Sequence, residues 1–360
     1  MIIPRPPISK FLPFRDERGI TGILAAIMMV SLIGMGAFAV DLGRAYMGNQ
    51  ELHNIADGAA LAGTRALGQI YETLSITEQQ AFVLTAQQQS TILATINDVA
   101  QKNYSGGSPI VINPNDVQIG QWIAGTFLPT TVRPTAISVV ARRDTQANGP
   151  MTTYLANVLG VGAINLSRQA TAALLPIATV PPGQANIPAG ISKEWFENNA
   201  CGDTIKFHPT GTLEGCAGWH TFLEQPASAS RLNQILDDLA IDAYVTPEII
   251  VGQTKFEFTG GTVSSAFKNL EDLYDAQKDA FGNWEVFLPV YDDDDCSNPN
   301  GAITIIGLAK VTITAVIGPP NKEIIGNVEC EVLHVGRPGS AVGTGGAGFG
   351  VTGTIPVLVS

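Results

Sequence analysis

Cysteines are the first residues in this sequence whose type and spacing could do chemistry. All four lie in the second half of the chain, at Cys201, Cys216, Cys296 and Cys330. An even number suits two disulfides in an oxidising compartment, whereas a structural zinc site usually draws on closely spaced cysteine pairs, which this chain lacks. We predict the pairs Cys201–Cys216 and Cys296–Cys330. The other connectivities and a zinc site are the alternatives.

A run of acidic and amide residues, YDDDDCSNPNG, is the second candidate for chemistry. Its oxygen-bearing side chains are Asp292, Asp293, Asp294, Asp295, Asn298 and Asn300. Ca²⁺ prefers such hard donors, but the spacing is not that of an EF-hand loop. Consecutive aspartates also occur in solvated hairpin turns. We favour the solvated turn and keep calcium as the alternative; no other cofactor is expected.

Catalytic patterns are missing from the sequence. The four histidines (His53, His208, His220 and His334) are scattered, and no HExxH or GxSxG motif occurs. The segment GTGGAGFG at Gly343–Gly350 lacks the lysine of a phosphate-binding loop and reads as a flexible tail or a late-ordering strand. The net charge of −12 argues against nucleic acid as a partner. We therefore expect a non-enzymatic protein with no small-molecule substrate.

An uncharged stretch at residues 20–40, ITGILAAIMMVSLIGMGAFAV, predicts a transmembrane helix. Its length matches the roughly 30 Å of bilayer hydrocarbon. Four basic residues precede it: Arg5, Lys10, Arg15 and Arg18. The positive-inside rule then places residues 1–19 in the cytoplasm and the rest outside. The alternatives are a signal peptide cleaved near Ala37–Ala39 and a buried core helix.

The helical pattern continues beyond the anchor to about Tyr71. Apolar and small residues recur at helical spacing, and glycines such as Gly63 and Gly68 weaken an isolated helix. Small side chains allow close approach of another backbone. We expect a stalk helix that docks on its own domain or on a partner. Asp41 and Arg44 form either a partner contact or an intrahelical pair.

The remainder reads as an α+β chain. We predict a second helix that starts at SITEQQAF with Thr77 as its N-cap and continues to Val99. Strands at DVQIGQWIAG and TAISVVARR follow, then a short helix at MTTYLANVLG that ends at Gly160, and then a strand at INLSRQATAALLP. The domain assignment is a tail at 1–19, an anchor at 20–40, an α+β domain at 41–178, a mostly β domain at 191–335 and a glycine-rich tail at 336–360.

The opening 60 residues resemble a known family. The elements that carry the resemblance are RG before the apolar span, VDLGRAY after it, and the block LHNIADGAALAG. In order, they resemble the N-terminal region of TadG-like proteins of the tight-adherence (Flp-type) pilus machinery. The run from ISVVARR to QATAAL resembles the segment that follows in such proteins.

The resemblance implies an inner-membrane protein whose external domain, periplasmic or extracellular, serves pilus assembly or secretion by scaffolding other components. No DxSxS metal motif is present, and Leu24 stands where pilin-like members carry a glutamate, so neither metal-dependent adhesion nor prepilin-type processing is carried over. We expect a partner surface made of Asp41, Arg44, Ala56, Asp57, Ala59, Ala60 and Ala62. The alternative is a surface-displayed minor pilin or adhesin, and a tethered hydrolase lacks any supporting residues.

Overall fold

The structure is a computed structural model that describes residues 18–199, 202–207, 216–261, 263–293, 299–333, 337–338 and 349–359. Within these ranges the α-helices are α1 (Arg18–Glu72), α2 (Ile76–Gln80), α3 (Ala86–Gln101), α4 (Lys193–Asn198), α5 (Ala229–Ala240) and α6 (Ser264–Gln277). Two short 3-10 helices span Pro114–Asp116 and Ala156–Leu159.

The strands of the described residues are numbered in chain order. They are β1 (Tyr104–Ser105), β2 (Ser108–Pro109), β3 (Val117–Ile123), β4 (Thr126–Pro129), β5 (Ala136–Arg143), β6 (Met151–Thr152), β7 (Ala163–Ile164), β8 (Leu166–Val180), β9 (Ala189–Ser192), β10 (Thr204–Phe207), β11 (Ala217–Trp219), β12 (Ile249–Ile250), β13 (Lys255–Phe258), β14 (Trp284–Tyr291), β15 (Gly301–Ile317), β16 (Glu323–Glu329), β17 (Glu331–Leu333), β18 (Arg337–Pro338) and β19 (Val351–Leu358).

The first unit is a sheet covered on one face by α1 and α3. Its strand order is β17-β19-β8-β5-β3-β4, and β12 and β18 also pair with β8. Strand β5 alternates, so that Ile137, Val139 and Ala141 enter the core shared with the two helices, while Ala136 packs on the other face. The strands predicted at DVQIGQWIAG, TAISVVARR and INLSRQATAALLP are confirmed as β3, β5 and β8.

The second unit is a sheet with the order β10-β16-β15-β14-β9-β11, in which β13 also pairs with β15. Helices α5 and α6 bury Leu232, Ile235, Phe267 and Leu270 in the core of this unit. Its cluster also takes in Ile177 and Val180, which end β8. The long strand β8 therefore contributes to both cores, and the overall class is α+β, as expected.

Helix α1 runs unbroken for 55 residues, which confirms that the anchor continues as a stalk. The upper half of α1, defined here as residues 41–72, docks on its own sheet. Leu52, Ile55 and Leu67 are almost completely buried there. The glycines in this helix interior are offset by tertiary packing, which outweighs intrinsic propensity.

The predicted second helix is wrong in two respects, because it is two helices, α2 and α3, and because its N-cap is another residue. The break covers residues 81–85, where the backbone bonds to the loop before β5: Arg133 N donates to Phe82 O and Leu84 N donates to Thr131 O, both at 2.9 Å. A capping box begins each helix: Ser75 with Glu78 at the start of α2, and Thr85 with Gln88 at the start of α3. The N-cap is thus Ser75 and not Thr77.

The end of the chain differs from the predicted glycine-rich tail. Strand β19 pairs antiparallel with β8, from Thr352 opposite Pro176 to Leu358 opposite Ala172. It also contacts α1, because Arg65 Nη1 donates to Thr354 O at 3.1 Å. Residues 349–359 therefore belong to the first unit, and residues 339–348 lie outside the described ranges.

Candidate membrane-proximal site

The lower half of α1, defined as residues 21–40, turns its apolar side chains outward. Ile27, Met28 and Phe38 are 59%, 61% and 65% exposed. The helix is long and apolar enough to cross a membrane, and its most apolar window is 0% buried. A core helix of a soluble domain would bury such side chains, so the buried-core alternative does not fit this part of the chain.

Asp41 follows this apolar half directly and is only 5% exposed. Its carboxylate accepts hydrogen bonds from the backbone N–H groups of Tyr154 at 2.8 Å, Leu155 at 2.9 Å and Ala156 at 2.6 Å. These groups open the 3-10 helix Ala156–Leu159, which has no side-chain cap of its own. Asp41 therefore supplies from α1 the acceptor that an N-cap residue would provide.

Arg44 lies one turn further along α1 and contacts the same segment. Its Nη1 donates to Thr152 O at 3.3 Å, and its guanidinium carbon lies 3.9 Å from the centroid of the Tyr154 ring. That separation is typical of a cation–π interaction. The Asp41 and Arg44 side chains thus both contact one segment of their own chain; their contact with a partner stays a prediction.

The segment that they hold is residues 151–164, called the basal hairpin from here on. Strands β6 and β7 pair antiparallel at its root, and Gly160 leaves the 3-10 helix with a φ of 87°, a conformation that favours glycine. Strand β6 at this root packs against Gly48 of α1, where an added Cβ would lie 2.9 Å from Met151 Cε. The hairpin therefore packs tightly against the first turns of the upper half.

The alanine block is internal packing. Ala56, Ala59 and Ala60 are 0% exposed and share a core with Ala170 and Ala172 of β8. Small residues on both sides let the helix approach the sheet closely. These three alanines cannot contact a partner while the unit is folded, so that part of the predicted partner surface is corrected.

Asp57 and Ala62 keep partial access to solvent. The Asp57 side chain is 26% exposed, and its Oδ1 lies 3.8 Å from His53 Nδ1. Ala62 is half-buried. Of the predicted partner residues in this block, Asp57 and Ala62 are therefore the ones that a partner could reach.

The cysteines fall partly outside the described residues. Cys216 is buried in the second unit, and neither Cys216 nor Cys330 is a free thiol. Cys201 and Cys296 are outside the described ranges. The pairs Cys201–Cys216 and Cys296–Cys330 stay a prediction.

The calcium candidates are likewise divided. Asp292 Oδ1 accepts a hydrogen bond from Lys193 Nζ at 2.7 Å, Asp293 O accepts one from Ser192 Oγ at 3.0 Å, and Asn300 is exposed. Asp294, Asp295 and Asn298 lie outside the described ranges. Among the described residues no group of three His, Cys, Asp or Glu side chains could hold a metal. Calcium at this turn stays a prediction.

His220 is the buried histidine of the described part of the chain, and it faces phenyl rings. The ring centroids of Phe222 and Phe256 lie 4.7 and 4.6 Å from that of His220. Burial lowers the pKa of His220 to about 3, so the imidazole is neutral at ordinary pH. Enclosed among these rings, it is poorly placed to act as a base on an external substrate.

A cleft of about 260 Å³ lies beside β17, lined by residues that include Tyr71, Trp122, Arg133 and Glu331. Two of its polar side chains, Gln79 and Glu331, form contacts within the fold. Gln79 Oε1 accepts from Val332 N at 2.7 Å, its Nε2 donates to Tyr71 O at 3.1 Å, and Glu331 pairs with Lys310 at 2.6 Å. The cleft is therefore part of the connection between β17 and the helices.

Comparison with known families supports the resemblance for the N-terminal part of the chain. Residues 19–66 match the model of a family described as putative Flp pilus-assembly TadE/G-like. This range contains the lower half of α1, Asp41, Arg44 and the alanine block. Searches of curated proteins and of solved structures found no match.

The sequence reasoning missed the basal hairpin as part of the site. It read MTTYLANVLG only as a short helix ending at Gly160. The available signal was the run between Asp144 and Arg168, which carries no charged residue and yet exposes Val158 and Val161. Uncharged, apolar loops of this kind are unusual on a water-exposed surface.

Proposed function

We propose that this protein is a non-enzymatic, membrane-anchored component of a Tad/Flp-type pilus assembly or secretion apparatus. In this proposal α1 crosses the inner membrane once, and the two units scaffold other components from the external side, in the periplasm or beyond the cell. The match of residues 19–66 to the TadE/G-like family is the observation that carries the proposal.

The continuity of α1 supports a scaffolding role. At about 1.5 Å per residue, the 55 residues of α1 form a rod of roughly 80 Å that passes from the exposed apolar half into the core of the first unit. Asp41 and Arg44 hold the basal hairpin at the point where the two halves meet. The unit is therefore held in one orientation relative to the anchor, as a scaffold requires.

The orientation rests on the basic residues that precede the apolar half, in agreement with the positive-inside rule. It can be tested with Phe281→Cys, since Phe281 is 89% exposed in the second unit and the described cysteines include no free thiol. A membrane-impermeant maleimide should label this variant in cells whose outer barrier has been opened. Labelling only after the inner membrane is lysed would reverse the topology.

The partner surface should lie on accessible positions, because the alanines are buried. We therefore place photo-crosslinking residues at His53 and Asn54, both exposed on α1, with Phe281 as a matched exposed control in the second unit. Adducts would be captured in cells that make the pilus machinery and identified by mass spectrometry.

Crosslinks from His53 or Asn54 to pilus-assembly proteins would support the scaffold and name the partner. Crosslinks from Phe281 alone would move the partner surface to the second unit. If the protein were recovered in sheared surface filaments and depleted from the inner membrane, the minor pilin or adhesin alternative would replace the scaffold.

A further inference from the structure

The basal hairpin exposes apolar side chains on the side away from its root. The exposed fractions are 63% for Tyr154, 40% for Leu155, 83% for Val158 and 51% for Val161. The inner face is buried, since Met151 and Thr153 are 5% and 8% exposed. The hairpin thus has one face packed against the protein and one apolar face that is largely exposed in the part of the chain that the structure describes.

The hairpin is held at the level where α1 leaves its predicted membrane span. Asp41 is the first residue after residues 20–40, and it accepts hydrogen bonds from three consecutive N–H groups of the hairpin, all within 2.9 Å. These bonds fix Tyr154 to Ala156 beside the helix exit. The tip of the hairpin therefore cannot lie far from the membrane surface that α1 crosses.

The first turns of α1 after the predicted span also expose apolar side chains. Val40, Leu42, Tyr46 and Met47 are all at least 51% exposed, and residues 151–164 carry no charge. Tyr46 of α1 and Tyr154 of the hairpin are both exposed close to the end of the predicted span, and tyrosine is enriched where a protein meets the lipid headgroups. An apolar surface continuous with a membrane span has the chemistry of an interfacial contact with lipid.

We propose that the basal hairpin inserts its tip, residues 155–161, into the boundary between lipid headgroups and acyl chains beside α1. The inference rests on the proposed membrane anchor but not on the pilus role. The protein then meets the bilayer at two points, the helix and the hairpin. Two points restrict the tilt of the first unit in a way that one helix cannot.

The test places an environment-sensitive NBD fluorophore on the tip. Val158→Cys is labelled with NBD in the full chain, and Phe281→Cys is the control, since both side chains are more than four-fifths exposed and their substitution leaves the cores intact. Each labelled protein is inserted as a single copy into nanodiscs of phosphatidylcholine and phosphatidylglycerol. NBD at position 158 should emit at shorter wavelength and be quenched by lipids that carry a spin label near the headgroup. NBD at position 281 should show neither effect.

Emission from position 158 equal to that from position 281 in intact nanodiscs would overturn the proposal. A chain that does not enter nanodiscs would overturn the anchor together with the hairpin contact, so the two failures are distinguishable. If position 158 became shielded only when two chains share a disc, a second copy would cover the hairpin, and lipid insertion would be rejected.

Discussion

The two halves of α1 share one helical backbone but carry side chains that differ in size and in exposure. In the lower half, large apolar residues such as Ile27 and Phe38 are about two-thirds exposed. In the upper half, alanines and glycines are buried against β8 and β19. The helix is continuous through both halves, so the change of environment and not a change of secondary structure explains the change of composition.

This contrast shows which side chains are compatible with lipid and which are compatible with a packed sheet. Lipid chains adapt to any apolar side chain, so bulk is tolerated in the lower half. A sheet backbone does not adapt, so close approach needs small residues in the upper half. Glycines sharpen the point: an added Cβ at Gly36 would meet nothing within 4 Å, whereas at Gly68 it would lie 2.6 Å from Thr354 O.

The largest difference between the halves should come from removing a leucine side chain. Leu67→Ala deletes a fully buried group and should lower the free energy of unfolding by about 2–5 kcal/mol. Leu32 is 68% exposed in the lower half, and Leu32→Ala should leave that free energy unchanged. Urea denaturation of the detergent-solubilised chain, followed by tryptophan fluorescence, measures both. Equal effects would show that the two halves share one environment.

The glycine pair gives the next largest effect. Gly68→Ala places a methyl group against the backbone oxygen of Thr354 and should cost about 1–3 kcal/mol, despite the better helix propensity of alanine. Gly36→Ala should not lower the free energy of unfolding, and it should raise it by up to about 1 kcal/mol because alanine has the better helix propensity. The same denaturation experiment measures both variants. A stabilised Gly68→Ala protein would contradict the close contact between α1 and β19.

Asp41 lies at the boundary between the halves and should have a local effect. Asp41→Asn keeps the shape of the side chain but removes the charge that the three N–H groups of residues 154–156 face, and hydrogen bonds to a charged acceptor are the stronger ones. We expect faster hydrogen–deuterium exchange at the amides of Tyr154 to Ala156, with little change in α3. Unchanged exchange at these amides would mean that the hairpin is held by its root alone.

The smallest effect should come from Arg44. Arg44→Lys loses the planar stacking on Tyr154, and the loss should be about 0.5–1 kcal/mol for a pair of this exposure. It should increase exchange in the basal hairpin less than Asp41→Asn does. The matched control is Tyr154→Leu, which removes the ring but keeps the arginine. If the two single changes altered the exchange of the basal hairpin unequally, the stacked pair would not be the cause of the change.

Local patterns in the sequence were enough to predict the anchor, the stalk and most strands. The uncharged run at 20–40 and the alternation in β5 both act over a few residues. The break between α2 and α3 was missed because residues 81–85 bond to a loop some fifty positions later. Strand β19 was missed for the same reason, since its partner β8 lies far away in the chain.

The candidate site could likewise be predicted only as far as its contacts are local in sequence. The sequence singled out Asp41 and Arg44 as residues with a contact, either with a partner or with each other, and the structure adds contacts with a distant segment of the same chain. Asp41 bonds to a segment 113 residues away, and no local pattern reveals such a distance. The alanine block could be recognised as a close-packing surface, but whether a sheet of its own chain or another protein fills that role depends on the tertiary structure.

The position of β19 has a consequence for how the chain acquires its shape. Strand β19 pairs with β8 and touches α1 at Gly68, so the first unit closes only after residues 351–358 have been synthesised. Contacts of such high sequence separation fold slowly. Until then one edge of β8 is open to pairing with other chains, so a chain that stops short of residue 351 would keep its anchor and still carry an adhesive sheet edge.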